Sequence, residues 1–511
     1  MAAQLQHHLA GIARSGSLNV LGAAVAALLN FAFIVVVTQS FEQRTAGALF
    51  TATSIFVIAL SICSLGTDAG LARFLMRYQA LDRIGHMPLV LSAARNPVLC
   101  CGLLLALVGS LLSGQIAATI GLHGVEGQLT IILLMLLLPV AALGDLSLAA
   151  ARALGTVQST VLSEKLLRPV LQPLGALSVA AMGGSLIWLT ASWAIPYAVA
   201  AGLSVVLFRR VFRPYRSTTT PSRSEVRAVA REFWTFSWPR AISRISQSIV
   251  QRADIVIVAA LIGPAEAAVY TAATRFVALG QFGVHAIQQV LQPRFSQLLA
   301  MDQIKTLEAV FKTATSWNMG LAWPLYITAI VGVNHYLLLF GPDYGTSSAR
   351  IVVLVMGLAL MLATAAGPLD TMLLMSGRST TSLVISLVGL AANIGLCFVF
   401  VPAFGLQGAA FAWGTAIVLR NVLTFFGVFL TLRINPFSGQ AALIAVLAIL
   451  SFAGPLLPVA LSGTHAILPF ALALSAGVLI YLAALWVFRR RLQLTTFRHI
   501  LPKRKSGQAK G

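Results

Sequence analysis

The sequence predicts an all-α polytopic membrane protein of about fourteen transmembrane helices, and three observations support this prediction. Hydrophobic residues make up 58% of the 511 residues and charged residues only 10%, whereas roughly a quarter of the residues in a soluble domain are charged. Apolar runs of about 18 or more residues, long enough to cross a hydrocarbon core of about 30 Å, recur from end to end. The runs are continuous rather than alternating, which favours helices over the strands of a barrel.

The apolar runs divide into fourteen expected spans, and no long polar segment between them indicates a separate soluble domain. The spans are expected to begin near Leu18, Ala46, Pro88, Gln128, Pro169, Leu186, Phe233, Ala268, Ser316, Ala349, Thr381, Leu406, Gly439 and Ala466. The preceding stretch MAAQLQHHLAGIARSGS is short and polar, and nothing after it resembles a cleavage site. We therefore do not expect a removable signal peptide.

Basic residues gather in every second connection between the expected spans. RRVFRPYR follows the sixth span and FRRRLQLTTFRHILPKRKSGQAK the last, whereas SGQIAATIGLHGVEGQ and FGPDYGTSS on the other side contain no Lys or Arg. This is the positive-inside pattern, and it predicts a multi-pass protein of the cell (inner or plasma) membrane with both termini in the cytoplasm. The net charge of +21 then reflects topology and attraction to membrane lipids. No nucleic-acid partner is expected, because the basic stretches lack a recognition fold.

The reactive residue types are not arranged as an enzyme or a metal centre would require. Cys63, Cys100, Cys101 and Cys397 all lie inside apolar runs without metal-ligand spacing. A phosphate-binding loop, a glycine-rich dinucleotide turn and an HExxH motif are all missing from the sequence. We therefore expect no catalytic residues, no metal and no cofactor.

Two short motifs recur at a spacing of about 220 residues. ALFTATSIF begins at Ala48 and resembles AVYTAATRF, which begins at Ala268, and ARF at Ala72 resembles PRF at Pro293. The offset covers six spans, so the two copies would run in the same direction. We expect two six-helix lobes in parallel repeat with a substrate site between them near the midplane, followed by two C-terminal helices.

The repeat and the charge runs together predict the domain organisation. The expected segments are a cytoplasmic N-terminus (1–17), an N-lobe of helices one to six (18–208), a basic cytoplasmic linker (209–232), a C-lobe of helices seven to twelve (233–432), helices thirteen and fourteen (433–488) and a basic cytoplasmic tail (489–511).

Several segments, in order along nearly the whole chain, resemble the polysaccharide-exporting branch of the multidrug/oligosaccharidyl-lipid/polysaccharide (MOP) superfamily. They are SLNVLGAAVAALLNFAFIVVVTQ, AGALFTATSIFVIALSICSLGTDAGLARF, ADIVIVAALIGPAEAAVYTAATRF, LLLFGPDYGTSSARIVVLVM and VPAFGLQGAAFAWGTAIVLRN. The resemblance implies a Wzx-type flippase, which carries polyprenyl-pyrophosphate-linked oligosaccharide from the inner to the outer leaflet by alternating access. It also implies a role in cell-surface polysaccharide biosynthesis, with a polymerase and glycosyltransferases as possible partners.

The seventh span is unusual because it contains four ionisable residues in SWPRAISRISQSIVQRADIVIVAALIG. An arginine facing lipid at depth costs about 2.5–3.5 kcal/mol on insertion scales, so these residues should face water or paired groups. Arg240, Arg244, Gln247 and Gln251 are spaced i, i+4, i+7 and i+11, on one face of a helix. Arg252 and Asp254 lie nearer the outer end.

Guanidinium groups bind phosphate oxygens in a bidentate way and stay charged, which suits a pyrophosphate headgroup. Arg275, in the next span, could pair with Asp254, and Gln288, Gln289 and Gln292 extend a polar stripe along that span. The predicted substrate-binding residues are Arg244, Arg252, Arg275, Arg240, Gln247, Gln251, Asp254 and Gln288.

Structural interpretations of the same charges stay open. Arg240 and Arg244 could instead reach lipid phosphates just inside the interface, beside an aromatic belt of Phe233, Trp234 and Trp238. Asp68 and Arg73, five residues apart, are expected to form a pair that orders a loop. Asp145, Asp370 and Arg420 are isolated in the sequence and are expected to face inward, without an assigned role.

Two other functions compete with the flippase. A cation-coupled small-molecule exporter of the same superfamily would place an acidic residue in the first span, which has only Asn19 and Asn30. A membrane glycosyltransferase or polysaccharide polymerase would need carboxylates or a large external loop, yet Asp and Glu total 14 and the external connections are short. Both alternatives are therefore less favoured.

Overall fold

The computed structural model describes residues 22–156, 158–215, 222–433, 438–463 and 466–492. The described residues form helices and short connections, and no strand is found among them. The predicted N-terminal segment 1–17, the start of the first span at Leu18, part of the basic linker and most of the basic tail lie outside these residues.

The helices follow one another with short turns. In chain order they are α1 (Gly22–Ser40), α2 (Gln43–Ser64), α3 (Thr67–Ala80), α4 (Met87–Leu111), α5 (Ser113–Thr119), α6 (Val125–Ala153), α7 (Gln158–Thr160), a π-helix (Val161–Leu167), α8 (Arg168–Ala181), α9 (Leu186–Phe212), α10 (Arg223–Leu261), α11 (Pro264–Ala300), α12 (Ile304–Val331), α13 (Val333–Leu338), α14 (Ser347–Ala365), α15 (Leu369–Met375), α16 (Ser379–Phe404), α17 (Leu406–Leu432), α18 (Gly439–Leu461) and α19 (Ile467–Val487). Single 3₁₀ turns lie at Ile84–His86, Arg213–Tyr215 and Pro342–Tyr344.

Each of the fourteen expected spans coincides with a helix, which confirms the all-α polytopic fold. Within the described ranges, ten helices are long and apolar enough to cross a membrane, with α2 and α3 counted as one. The remaining expected spans are the fifth, seventh, eighth and ninth. The fifth, α8, has only 14 residues and follows the π-helix, and α10, α11 and α12 contain charged and polar residues that lower their hydrophobicity.

The second span breaks into α2 and α3 at Leu65 and Gly66, a feature that hydropathy does not predict. Both residues adopt positive φ, 47° and 66°. A Cβ at Gly66 would lie 2.5 Å from the backbone nitrogen of Ala241 on α10. Glycine is therefore required here both for the left-handed backbone and for the close approach of two helices.

A π-helix immediately precedes the expected start of the fifth span at Pro169. The N–H of Arg168 donates to the carbonyl of Ser163, five residues back. Pro169 has no N–H to offer the carbonyl of Lys165, so the α-helical ladder is interrupted at this point. Wide turns of this kind are rare and occur often at functional sites.

The described chain divides into two compact units. Unit 1 comprises the chain up to Arg275 with Leu339–Val352 and Ser386–Trp413, and unit 2 comprises Phe276–Leu338, Val353–Ile385 and the chain from Gly414 onward. The lobe boundaries expected from the repeat stay a prediction.

Unit 1 is organised around α6, which packs against α4 and α9. Small residues permit this close packing, as is usual for helices in membranes: a Cβ at Gly144 would lie 2.6 Å from that of Ala201. Phe56 packs edge-on against Trp193 and Tyr197, with ring centroids 5.4 Å apart in each pair. The core of unit 1 is therefore tightly packed next to its charged residues.

In unit 2, α18 packs against both α12 and α19. Phe452 and Tyr481 form the centre of one apolar cluster, and the Tyr481 hydroxyl donates to the carbonyl of Gly320 at 2.9 Å. A second cluster surrounds Phe295 and Phe311. The last two spans are thus attached to the ninth.

Candidate substrate site

The helix that contains the predicted arginines is much longer than a bilayer is thick. α10 has 39 residues and so measures about 58 Å, against a hydrocarbon core of about 30 Å. Its first turn is closed by Ser222 and Glu225, whose side chains and backbone N–H groups bond reciprocally. The donors on Ser222 lower the pKa of the Glu225 carboxylate, because they stabilise its charged form. The seventh expected span, which begins near Phe233, is the C-terminal part of α10.

The depth of each arginine follows from its distance to the end of α10 at Leu261. Arg252 lies about 14 Å from that end and Arg244 about 26 Å, at 1.5 Å per residue. If the end of the apolar run marks the edge of the hydrocarbon, Arg252 is near mid-depth and Arg244 near the opposite boundary.

Arg244 is paired with Asp68 of α3. Its Nη1 donates to the Asp68 carboxylate, and the two side chains are 41% and 38% exposed. The expected Asp68–Arg73 pair is therefore wrong. Residues five apart do not face each other on α3, and Asp68 instead faces the neighbouring α10.

Arg73 and Arg240 lie over the same aromatic ring. The guanidinium carbons are 4.4 Å and 5.9 Å from the centroid of Phe236, within the range of a cation–π contact. Trp234 donates its indole N–H to the carbonyl of Ala93 at 3.2 Å. Arg240 thus lies next to aromatic residues, in agreement with the structural interpretation of this charge.

The polar face predicted on α10 is not covered by protein in the described part of the chain. Arg240, Arg244, Gln247 and Gln251 are all exposed. Arg252 is half-buried, and among the described residues it makes no hydrogen bond and no ion pair. Asp254 is its electrostatic neighbour, but an arginine near mid-depth whose own N–H groups have no protein acceptor needs water or an anion next to it.

Asp254 is buried, with 6% of its surface exposed. It accepts hydrogen bonds from the Tyr270 hydroxyl at 2.8 Å and from the Ile255 N–H at 2.9 Å. The Asp254–Arg275 pair is not found among the ion pairs of the described residues, and the Nε of Arg275 donates to the carbonyl of Thr271 at 3.0 Å. A hydroxyl on the facing α11, rather than a guanidinium, satisfies this carboxylate.

Gln288 belongs to unit 2, where it is half-buried on α11. Gln292, one turn further on, is exposed. The side chain of Gln289 lies outside the described residues. This part of the predicted polar stripe therefore belongs to a different unit from the arginines of α10.

A second charged cluster in unit 1 surrounds Asp145, which the sequence presents as isolated. Asp145 interacts electrostatically with Glu164, Arg168, Arg244 and Arg152. Although Asp145 is isolated in the sequence, Arg152 of its own helix and charges of the π-helix, α8 and α10 lie close enough to interact with it. The charges of SEKLLRP at the start of the fifth span are the signal in the sequence that could have indicated this cluster.

The second cluster is built on the π-helix and its neighbours. Arg152 of α6 lies 3.6 Å from the carboxylate of Glu164. The guanidinium of Arg168 lies 4.4 Å from the ring centroid of the buried Tyr197. The π-helix therefore presents its acidic residue to α6, and the arginine that follows it packs on α9.

Cations outnumber carboxylates among the charged residues of unit 1 described above. The cations named above are Arg73, Arg152, Lys165, Arg168, Arg240, Arg244, Arg252 and Arg275, and the carboxylates are Asp68, Asp145, Glu164 and Asp254. Two of these carboxylates are in ion pairs with arginine. The remaining positive charge suits an anionic ligand.

The isolated charges of unit 2 have modest local contacts. Asp370 on α15 accepts a hydrogen bond from the Ser382 hydroxyl at 2.7 Å. Arg420 on α17 is half-buried. Neither the Asp370 hydrogen bond nor the burial of Arg420 suggests a role in binding.

On the side where the connections lack basic residues, elements of unit 1 pack backbone against backbone. A Cβ at Gly47 would lie 1.6 Å from the carbonyl oxygen of Pro264. Gln39 and Gln43 donate to the carbonyls of Leu339 and Asp343 at 3.0 Å and 2.9 Å. This end of unit 1 is closed by direct contact.

The comparisons with known proteins identify a family and a fold. The family model described as polysaccharide biosynthesis protein matches residues 12–299, and the MatE model matches residues 239–399. No curated protein matches the chain.

The solved structures with a similar fold include the lipid II flippase MurJ in an inward closed conformation. It has a TM-score of 0.70 at 14% identity, covering 93% of this chain and 99% of that one. An inward-facing multidrug resistance MATE transporter of the MOP superfamily gives 0.64 at 16% identity, covering 80% and 94%. A MOP transporter from Pyrococcus furiosus gives 0.53 at 16% identity, covering 83% and 95%. These structures are of transporters and flippases, not enzymes.

Proposed function

Because the chain belongs to the polysaccharide biosynthesis protein family and has the fold of the MOP transporters, we propose that it is a lipid-linked oligosaccharide flippase. It moves a polyprenyl-pyrophosphate-linked oligosaccharide from the inner to the outer leaflet of the cell membrane for surface polysaccharide synthesis. The basic connections and both termini lie in the cytoplasm, as the positive-inside pattern indicates. A polymerase and glycosyltransferases act on the same substrate before and after it crosses.

The observation that carries the proposal is the guanidinium of Arg252, which makes no hydrogen bond and no ion pair among the described residues and whose electrostatic neighbour there, Asp254, is hydrogen-bonded to Tyr270 instead. Exposed to lipid, this group would cost about 2.5–3.5 kcal/mol or more. A pyrophosphate offers several oxygens in the geometry that a guanidinium binds best. A cationic drug would be repelled by the same charges.

Each predicted residue of unit 1 has a role in this proposal. Arg244, Arg252 and Arg275 bind the pyrophosphate and the first sugars, and Arg240 attracts the headgroup at the cytoplasmic mouth. Gln247 and Gln251 donate to and accept from sugar hydroxyls. Asp254 accepts a hydrogen bond from Tyr270 and partly balances the charge of Arg252, so that the substrate is bound weakly enough to be released.

Transport proceeds by alternating access, with the site open first to the cytoplasm and then to the outside. The Asp68–Arg244 pair occupies Arg244 before the substrate arrives. A substrate phosphate then competes with the Asp68 carboxylate for this guanidinium.

An alternative function is cation-coupled export of small molecules, which the MatE match over residues 239–399 supports. In this superfamily such exporters place a carboxylate in the first span. Residues Gly22–Ser40 of this chain include Asn30 but no Asp or Glu. The flippase therefore remains the better-supported function.

The test is a reconstituted flipping assay with a fluorescent polyprenyl-pyrophosphate oligosaccharide, read by the access of a membrane-impermeant quencher. Arg252→Ala should slow flipping about tenfold or more, since a charge-assisted hydrogen bond contributes about 1.5–3 kcal/mol. Arg223→Ala is the matched control, because Arg223 is exposed in the first turn of the same helix. Efflux of a cationic dye is measured in parallel. Dye efflux without flipping, or flipping that is unchanged in Arg252→Ala, would exclude the proposal.

A further inference from the structure

A surface cavity of about 640 Å³ lies at the start of α18, within unit 2. Its lining residues are Gly439, Gln440, Ala442, Leu443, Val446 and Arg491. A Cβ at Gly439 would meet no atom within 4 Å, so the cavity is open beside the helix. One end of this groove is polar and charged, and the other is apolar.

The backbone next to Arg491 is held in place at the groove. Gln440 donates its side-chain N–H to the carbonyl of Arg491 at 3.1 Å, and Trp317 of α12 donates to the carbonyl of Leu492 at 3.2 Å. Leu492 is 1% exposed and packs with Met319 and Ile444. Arg491 therefore stands at a fixed place after α19, and no carboxylate of the described residues pairs with it.

The groove continues into an apolar stripe along α18. Ala442, Val446, Leu450 and Leu457 recur at helical spacing on one side, and the last three are 52%, 66% and 48% exposed. In a helix of 23 residues, which is long enough to span the bilayer, this stripe faces lipid chains. A groove of this kind suits an apolar chain attached to a charged head.

The charge next to the groove is positive. Arg489, Arg490 and Arg491 follow α19 directly, and the guanidinium of Arg489 lies 4.6 Å from the ring centroid of Trp486. Trp486 is 67% exposed, as is usual for tryptophan at a membrane interface. An arginine near the membrane surface attracts anionic lipid headgroups. The charge therefore selects acidic over zwitterionic headgroups.

We propose that this groove is a binding site for an acidic phospholipid of the bilayer. The lipid phosphate pairs with the guanidinium of Arg491, and one acyl chain lies along Ala442, Val446 and Leu450. The bound lipid fills the surface between the start of α18 and the turn after α19. This site is separate from the charges of α10 and does not depend on the proposed substrate.

The test is native mass spectrometry of the purified full-length protein with phosphatidylglycerol and phosphatidylcholine of the same chain length. The wild-type protein should retain phosphatidylglycerol preferentially, and Arg491→Ala should weaken its binding about fivefold, which corresponds to about 1 kcal/mol. Ala442→Trp, which fills the groove without changing the charge, should weaken it as well. Arg223→Ala, which removes an exposed arginine elsewhere, should leave it unchanged.

Three results would overturn the proposal. The first is equal retention of the two lipids by the wild-type protein. The second is unchanged phosphatidylglycerol binding in both groove variants, with the melting temperature showing that they are folded. The third is displacement of phosphatidylglycerol by an equimolar polyprenyl phosphate, which would assign the groove to the lipid carrier instead.

Discussion

The guanidinium of Arg244 on α10 pairs with the carboxylate of Asp68 on α3, although 176 positions separate the two residues in the chain. Both side chains are about two-fifths exposed, so the pair contributes at most about 1 kcal/mol to stability. A pair this weak can be exchanged for another anion at little cost.

The first prediction separates pairing from substrate binding. The exchange Asp68→Arg with Arg244→Asp keeps an opposite-charge pair between the two helices but moves the cation from α10 to α3. We expect the double variant to fold, with a melting temperature close to wild type, and to flip lipid-linked oligosaccharide as poorly as Arg244→Ala. Arg244→Lys should keep part of the activity, because the charge remains and the bidentate fork is lost. Wild-type flipping by the exchanged pair would show that Arg244 serves only to join α10 to α3.

The second prediction concerns the buried carboxylate of Asp254. Tyr270→Phe removes the hydroxyl that donates to it at 2.8 Å, and we expect a loss of stability of about 1–3 kcal/mol. Tyr344→Phe is the matched control, because the Tyr344 hydroxyl is buried and has no hydrogen-bond partner among the described residues. Thermal unfolding in detergent measures both. The Asp254 account fails if the two variants melt at the same temperature.

The third prediction concerns the closed end of unit 1. Gly47→Ala would bring a methyl group within 1.6 Å of the Pro264 carbonyl oxygen, so two backbones must separate, at a cost of about 1–3 kcal/mol or more. Gly202→Ala adds the same methyl to α9 where nothing lies within 4 Å. It should gain about 0.5–1 kcal/mol from helix propensity. A similar melting temperature for the two variants would contradict the close contact.

The fourth prediction concerns the π-helix. Pro169→Ala supplies the missing N–H, so the carbonyl of Lys165 can rejoin an α-helical ladder. We expect the wide turn to contract and Glu164 to rotate away from Arg152. Flipping should then fall, while stability is kept or increased.

Hydrogen exchange at residues 161–167 tests this change directly, because the amides of a regular α-helix should exchange more slowly than those of the wide turn. Pro173→Ala, one turn further into α8, is the control and should leave exchange in that stretch unaltered. If Pro169→Ala changes neither exchange nor flipping, the proline is not what sustains the π-helix.

The positions of the helices at all fourteen expected spans could be predicted from the sequence, and ten of these helices are apolar enough to cross a membrane, because the hydrophobicity of a helix is a property of its own residues. The exposed face of Arg240, Arg244, Gln247 and Gln251 could be predicted for a similar reason, since it depends on helical spacing within one segment. The break at Leu65 and Gly66 could not, because both sides of it are apolar. It follows from a close approach to Ala241, which lies far along the chain.

The partners of the charged residues could not be predicted from local sequence patterns. Spacing in the sequence favours a pair between Asp68 and Arg73, five residues away, yet Asp68 pairs with Arg244 on another helix. Asp145 has no charged residue within one helical turn of it in the sequence, yet it interacts electrostatically with Glu164 and Arg168 as well as with Arg152 of its own helix. Packing of α3, α6, α8 and α10 decides these contacts, and no single segment encodes it.

The π-helix at Val161–Leu167 accommodates one more residue per turn than the regular helix that follows it. The extra residue of a π-turn can shift along a helix one position at a time as individual backbone hydrogen bonds rearrange. Each step turns the residues it has passed by about 100° relative to the rest, while nearly all hydrogen bonds are kept. Glu164 and Lys165 lie within this stretch, and Arg168 follows it immediately. The fifth span could thus redirect its charges without bending and without moving as a whole.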